Sequence, residues 1–174
     1  MGTGNVRPRA PHGPPSTHVS TESTDGLVTD MAGLRECSGQ HLGYTPWREM
    51  TQDLVDRFAD ITNDHNYIHV DVERARQSPF GGTIAHGFLT LSLLAPVTQA
   101  LLKVTDAAMG INYGLDRVRF PAPLPVGARW RGSAEIVEVT ELDGGLQVKV
   151  LATVEVEGST KPAVAAENLL RVYA

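Results

Sequence analysis

The second half of the chain alternates between apolar and polar residues, which is the pattern of β-strands. From Leu146 to Val156 every second residue is apolar, and most residues between them are polar. This pattern predicts an antiparallel strand with one buried face. The run Asp143-Gly144-Gly145 directly before it indicates a hairpin turn. Three further strands are predicted over 111–120, 129–140 and 162–173.

The first half shows the spacing of helices instead. Apolar residues recur at helical intervals between Thr51 and Ile61, with Thr51 as a candidate N-cap and Asn63 as the end. Shorter helices are predicted at 72–77 and at 29–37, the latter capped by Thr29-Asp30.

A long segment over 84–104 is apolar on nearly all sides, which predicts one buried helix. Pro96 should kink that helix, because proline lacks the N–H that would bond to the preceding turn. Prolines 121, 123 and 125 predict a stiff loop between the first two strands. A long buried helix and four or five antiparallel strands indicate an α+β fold with the sheet wrapped on the helix.

Length and composition suit one domain that begins after a tail. The chain has 174 residues, but residues 1–26 contain four prolines and few apolar side chains. We expect a disordered tail over 1–26, because such a stretch cannot bury enough surface to offset its ordering entropy. The folded domain is then predicted over 27–174. Arg7 and Arg9 do not indicate a signal peptide, because the apolar region that should follow such a basic start is absent.

Charge and hydropathy exclude several classes of partner. The net charge is −5, so no net basic field exists to hold a nucleic acid. No run of about 18 apolar residues appears, so no membrane span is predicted. The single cysteine, Cys37, cannot form an internal disulfide and is expected to be a small buried residue. A cytoplasmic location is therefore predicted.

Candidate chemistry is concentrated in the six residues from Asp64 to His69. On an α-helix these two side chains would not share a face, so a non-helical turn is needed to bring them together. A carboxylate and an imidazole aimed at one point can hold a water molecule and exchange protons with it. Hydration and dehydration need such a pair.

Other interpretations of the histidines remain open at this stage. His65 and His69, four residues apart, could bind zinc with Asp64. No third histidine lies at ligand spacing, since His86 is distant in sequence, so we predict no metal. His86 is expected to be structural, near the start of the long helix. Four arginines of the strand region could contact phosphates but equally suit a solvated face, and they are left out of the site: Arg117, Arg119, Arg129 and Arg131.

Three ordered segments resemble one enzyme family. Asp64-x-Asn66-x-x-His69 resembles the hydratase motif of the MaoC-like dehydratases, which include the (R)-specific enoyl-CoA hydratases. The stretch 80–89, Phe-Gly-Gly-Thr-Ile-Ala-His-Gly-Phe-Leu, is similar to that family's entry into its central helix, and 118–127 is similar to the following strand and loop. The resemblance covers roughly 43–173 and is closest to the nodulation-N-like branch with a single domain.

The resemblance implies a hot-dog fold and hydration of trans-2-enoyl thioesters to (R)-3-hydroxyacyl thioesters. It makes Asp64 the general base and His69 the partner that donates a proton or orients the water. Asn66 would bind at the site and fix the turn, and the backbone N–H of Gly87 would bind the thioester carbonyl. No cofactor is implied, since coenzyme A belongs to the substrate and an acyl-carrier-protein thioester is possible. A homodimer or an assembly of dimers is also implied.

Departures from the family pattern leave alternatives open. Asn63 and Tyr67 stand where relatives commonly have glycine and proline, which changes the stiffness of the turn. Ala95-Pro96 occupies the region where some relatives carry a polar residue, which affects acyl-chain preference. The alternatives are a hot-dog acyl-CoA thioesterase and a non-catalytic acyl-thioester-binding protein.

Overall fold

The computed structural model describes Met1 and residues 26–174. The predicted tail over 1–26 therefore lies, apart from its two end residues, outside the described residues. In chain order the helices are α1 (Met31–Leu34), α2 (Gln52–Thr62), α3 (Tyr67–Val70), α4 (Val72–Ala75), α5 (Gly87–Ser92) and α6 (Leu94–Leu101). The strands are β1 (Leu27–Thr29), β2 (His41–Tyr44), β3 (Arg48–Glu49), β4 (Leu102–Val104), β5 (Met109–Arg119), β6 (Arg129–Leu142), β7 (Gly145–Val156) and β8 (Val164–Tyr173).

Six strands form one antiparallel sheet. Its order is β2-β6-β7-β8-β5, with β3 also pairing with β6. The hairpin between β6 and β7 closes where Leu142 pairs with Gly145. Gly144 adopts a φ of 72° there, a conformation that glycine tolerates without strain. The four predicted strands and the hairpin are thus confirmed, with small shifts of their ends.

The prediction of one helix over 84–104 is wrong at both ends. Ile84 and Ala85 donate their backbone N–H groups to the carbonyls of Ile68 and Leu124, so the chain is not yet helical there. At the other end, β4 pairs in parallel with β1, and Leu102 lies opposite Leu27. Hydrogen bonds to distant segments therefore override the local helical pattern.

The predicted effect of Pro96 is confirmed as a break between α5 and α6. Proline at 96 cannot donate to the carbonyl of Ser92, the last residue of α5. The helix is interrupted at Leu93 and resumes at Leu94. The expectation that this segment is buried all round is wrong for Phe88, whose side chain is 75% exposed.

The central helix α6 lies close against the sheet. It contacts β6 and β7, with Val97 and Leu101 buried in the core. A Cβ atom on Gly132 of β6 would lie only 2.0 Å from Cγ2 of Val97. The glycine therefore allows the helix to approach the strand, as expected for a sheet wrapped on a helix.

The helices that precede the site form where the sequence predicts them, but two of them are shorter than predicted. The Thr51 hydroxyl caps α2 by accepting from the Leu54 N–H, and Asn63 ends α2 with a φ of 57°. Asp30 caps α1, which is shorter than the predicted 29–37, and α4 is shorter than 72–77. Within the described residues, no helix is long and apolar enough to cross a membrane.

Candidate active site

The turn between α2 and α3 carries the motif found in the sequence. Asn63 reverses the chain in the left-handed conformation, and the Asp64 N–H donates to the carbonyl of Ala59. A carboxylate oxygen of Asp64 lies 3.4 Å from the Asn66 N–H. The Asn66 side chain accepts from the N–H of Ile68 and so caps α3. The predicted non-helical turn is confirmed, and the Asn66 amide holds it.

The imidazole of His69 points into the protein from the single turn of α3. Its exposed fraction is only 7%, and its Nδ1 lies 2.7 Å from the carbonyl oxygen of Ile84. Because a carbonyl only accepts, Nδ1 carries the proton and Nε2 keeps its lone pair. Burial lowers the pKa of His69 below its ordinary value, and this effect outweighs the opposing hydrogen bond to Ile84. The neutral imidazole is thus the favoured form.

His86 lies beside His69 although 17 positions separate the two in the sequence. The two rings stack with their centroids 3.8 Å apart, and Phe58 packs at 5.1 Å from the His86 ring. The Nε2 of His86 donates to the backbone carbonyl of Asp64 at 2.9 Å. Its Nδ1 is buried and has no hydrogen-bond partner within the described part of the chain.

Asp64, His69 and His86 therefore form one cluster. One potential ligand atom from each lies within 4.8 Å of the others. The sequence-based reason for setting the metal alternative aside, that His86 is remote, does not hold in space. His65 instead pairs with Asp60 at 3.0 Å on the surface. A carboxylate and two imidazoles suit either a bound water or zinc, and the prediction of no metal stays a prediction.

Gly87 is the first residue of α5, directly after His86. The side chain of His86, the N-cap residue, makes no capping hydrogen bond. The N–H groups of a first helical turn lack partners within the helix, so they are left for another acceptor. A Cβ atom on Gly87 would meet the ring of Phe120 at 3.6 Å, an ordinary contact. The Gly87 N–H thus lies next to the cluster, at the start of α5.

Gln52 is a supporting residue that the sequence did not indicate. Its amide nitrogen donates to the backbone carbonyl of His69 at 2.7 Å, and its amide oxygen accepts from the Thr83 hydroxyl at 2.6 Å. The side chain thereby connects the His69 turn to the segment before Gly87. No pattern identified it, since a glutamine in the first turn of a helix is common.

The four arginines set aside in the sequence make contacts on the sheet. Three of them pair with glutamates: Arg117 with Glu167, Arg129 with Glu157 and Arg131 with Glu155. Arg119 donates to the backbone carbonyl of Val118. These contacts agree with a charged sheet face and add no residue to the cluster.

Comparison with known proteins gives the family. The model of the MaoC-like domain matches residues 35–159. The chain belongs to the MaoC-like dehydratase family. The match includes the Asp64–His69 turn, the start of α5 and the loop before β6, and it confirms the resemblance found in the sequence.

The named relatives include a dehydratase. 3-Hydroxyacyl-thioester dehydratase Z of Mycobacterium tuberculosis is 49% identical over 145 residues, which cover 83% of this chain and 96% of the relative. Nodulation protein N of Rhizobium leguminosarum bv. viciae is 47% identical over 131 residues, covering 74% and 81%. The chain is therefore an enzyme of the hydro-lyase class.

The structural comparison confirms the hot-dog fold. The (R)-hydratase from A. caviae involved in PHA biosynthesis superimposes with a TM-score of 0.64 at 22% identity. The similarity covers 76% of this chain and 94% of that chain. The α+β class expected from a long buried helix and four or five antiparallel strands is thereby confirmed as well.

Proposed function

We propose that the protein is an (R)-specific enoyl-CoA hydratase, which reversibly adds water to trans-2-enoyl-CoA. The observation that supports it most is the single cluster of Asp64, His69 and His86, with ligand atoms within 4.8 Å of one another. The cluster lies at the start of α5, where the Gly87 N–H has no partner within the helix. The (R) configuration follows from the family resemblance.

Asp64 is the proposed general base. A water molecule between Asp64 and His69 donates one hydrogen to the carboxylate and the other to Nε2 of His69. As the water oxygen bonds to the β-carbon, Asp64 takes the first proton and electrons move onto the thioester oxygen. Asp64 then returns that proton to the α-carbon, so the atoms of one water molecule are added in full.

His69 orients the water in this scheme rather than donating a proton. Its Nδ1 donates to Ile84, and its pKa is lowered by burial, so Nε2 is an acceptor near neutral pH. The sequence left open whether His69 donates or orients, and this tautomer favours orientation.

Gly87 is the proposed donor to the thioester oxygen. Negative charge develops on that oxygen as water adds, and an N–H at the start of a helix stabilises it. Such a donor lowers the activation free energy by about 3–4 kcal/mol. Asn66 contributes through the turn that it caps, and its predicted contact with substrate stays a prediction.

The reaction needs no metal or redox cofactor in this scheme, because acid–base chemistry is sufficient. Coenzyme A enters as part of the substrate, and an acyl-carrier-protein thioester is the other candidate carrier. The cytoplasmic location is proposed from the single cysteine. Cys37 is buried and its thiol donates to the carbonyl of Gly33, which agrees with the predicted structural role.

A second copy of this chain is the proposed partner. Within the described residues, β5 is the last strand of the sheet order, so one of its edges is unpaired. Four large side chains of β5 are exposed: Met109, Ile111, Tyr113 and Leu115. An exposed apolar edge strand is a surface that proteins normally cover. Association through this edge would form a homodimer, and a monomeric mass with full activity would contradict it.

The function is tested by mixing the purified protein with trans-2-butenoyl-CoA. Loss of the enoyl absorbance without release of free thiol, with (R)-3-hydroxybutyryl-CoA as the product, is the expected result. Release of thiol would instead indicate a thioesterase, and saturable binding without turnover would indicate an acyl-thioester-binding protein. Turnover that is unchanged after treatment with EDTA is expected if the cluster holds water rather than zinc.

A further inference from the structure

A cleft between the central helices and β5 is lined by three polar residues, Ser92, Asn112 and Asn168, of which Asn168 is buried at the inner wall. Its volume is about 310 Å³, and most of its lining is apolar, including Phe88, Leu91 and Leu115. Asn168 of β8 faces the cleft from the inner side of the sheet, where its exposed fraction is only 3%. The inner positions on either side of it along β8 are Ala166 and, further on, Val172, both buried.

The amide of Asn168 makes no side-chain hydrogen bond with any residue in the described part of the chain. Other buried polar side chains near the helices do have partners: the hydroxyl of Thr90 donates to the carbonyl of His86, and that of Thr98 donates to the carbonyl of Leu94. A buried amide without a partner costs free energy, and an apolar residue of similar size would avoid that cost. Two other side-chain atoms, Nδ1 of His86 and Nε1 of Trp130, are fully enclosed without a partner among the described residues, whereas the Asn168 amide lines the cleft, where a ligand could complete its hydrogen bonds.

The position of the cleft connects it with the reaction centre. Phe88, which lines it, follows Gly87 directly, and Leu91 and Ala95 lie one and two turns further along the helical segment. A second cavity shares Ala95 and Asn112 with this cleft and extends it. An acyl chain whose thioester lies at Gly87 can therefore enter the cleft.

We propose that Asn168 is a specificity residue that binds an oxygen function on the acyl chain, beyond the double bond. An amide both donates and accepts hydrogen bonds, so a hydroxyl or a keto oxygen would serve. The substrate class is then an enoyl thioester with an oxygenated chain, rather than a plain hydrocarbon chain. This inference rests on the proposed hydratase function, since it places the thioester at Gly87.

The test compares enoyl-CoA substrates whose acyl chains have the same length. One is a plain hydrocarbon chain, and each of the others carries a hydroxyl at a different carbon. We expect one position of the hydroxyl to raise kcat/KM by roughly 10- to 100-fold over the plain chain. Asn168→Leu should remove this preference, so that the hydroxylated and the plain chain have similar kcat/KM values in this variant. Asn168→Thr, which keeps a hydrogen-bonding group, should retain part of it.

Thr98→Val is the matched control. Thr98 is also buried and lines the adjoining cavity, but its hydroxyl is already bonded to the Leu94 carbonyl. The substrate preference should therefore persist in this variant. Melting temperatures of all variants show whether each one folds.

Binding measurements separate this inference from the proposed function. Calorimetry with saturated acyl-CoA, with and without the hydroxyl, measures the contact without any turnover. If plain enoyl-CoA is hydrated but no position of the hydroxyl improves kcat/KM or affinity, the inference is wrong and the amide binds only water. If no enoyl-CoA is hydrated, the proposed function fails, and the calorimetry still decides whether Asn168 selects an oxygenated chain.

Discussion

The imidazole ring of His69 stacks on that of His86, with centroids 3.8 Å apart and planes inclined by 27°. Each ring donates to a backbone carbonyl, His69 to Ile84 and His86 to Asp64. These two bonds fix the orientation of both rings, and Nδ1 of His69 is the nitrogen that carries the donated proton. A charge on His69 would lie against the neighbouring His86 ring in a buried site, so the stack adds to the lowering of the pKa of His69, of which burial is the main cause.

His86 should act through position rather than through proton transfer. We expect His86→Leu to lower kcat by roughly 10- to 100-fold, because the Asp64 carbonyl loses its donor and the carboxylate is no longer held in place. His86→Gln, whose amide can donate to the same carbonyl, should keep most of the activity. Steady-state kinetics of the two variants distinguishes these outcomes, and equal losses would argue against a positioning role.

The same glutamine variant should change the pH profile. The charge interaction with His86 contributes to the lowered pKa of His69. Without the second imidazole, the pKa of His69 should rise, so the acid limb of kcat/KM should move to higher pH. An acid limb that does not move would show that burial alone sets the pKa of His69.

The wild-type enzyme should lose activity only below about pH 6.5, the ordinary pKa of histidine. Burial lowers the pKa of His69, so its Nε2 stays unprotonated until the pH falls further. The lowered pKa of His69 also makes its contribution to the free energy of unfolding fall as the pH falls, in the same direction as the activity. Unfolded His69 binds its proton first, so this contribution is complete above the unfolded pKa and is lost as the pH falls through the folded pKa. A kcat/KM profile and denaturant unfolding at several pH values measure both.

The sequence predicted the elements whose signal is local. The alternation in β7 and the cap at Thr51 are properties of a few neighbouring residues, and the structure confirms both. The start of α5 was misplaced by three residues, because Ile84 bonds to Ile68 and no local pattern shows that contact. The end of α6 was misplaced because Leu102 joins a strand pair with Leu27, far away in the chain.

The same distinction applies to the candidate site. Asp64 and His69 could be found because one short turn carries them both. The sequence predicts only a structural role for His86, because only the fold brings its ring onto that of His69. Gln52 and Asn168 belong to no sequence motif. Gln52 is identified only by its hydrogen bond to the backbone of His69, and Asn168 only by being buried without a side-chain hydrogen-bond partner in the described part of the chain.

Gly132 should be required for the close contact between α6 and the sheet. A Cβ atom at this position would lie 2.0 Å from a methyl group of Val97, so Gly132→Ala overpacks the core. We expect a loss of about 1–3 kcal/mol in the free energy of unfolding, measured by urea denaturation. Combining it with Val97→Ala should cost less than the sum of the two single changes, because the two methyl groups that approach most closely are removed and only the Cβ of residue 97, at 2.8 Å, remains in the way. Strict additivity would contradict this account.

Asp64 and His69 should both be needed for turnover, whereas a neighbouring pair of the same residue types should not. Asp64→Asn removes the proposed base and should lower kcat by about 10²- to 10⁴-fold. His69→Gln removes the fixed Nε2 acceptor and should lower kcat by a similar factor. Asp60 and His65 form a surface pair 3.0 Å apart, so Asp60→Asn and His65→Gln are matched controls with activity near wild type. If the first two variants keep full activity while remaining folded by circular dichroism, the acid–base scheme is wrong. A loss in the control pair as well would indicate disruption of the turn rather than of the chemistry.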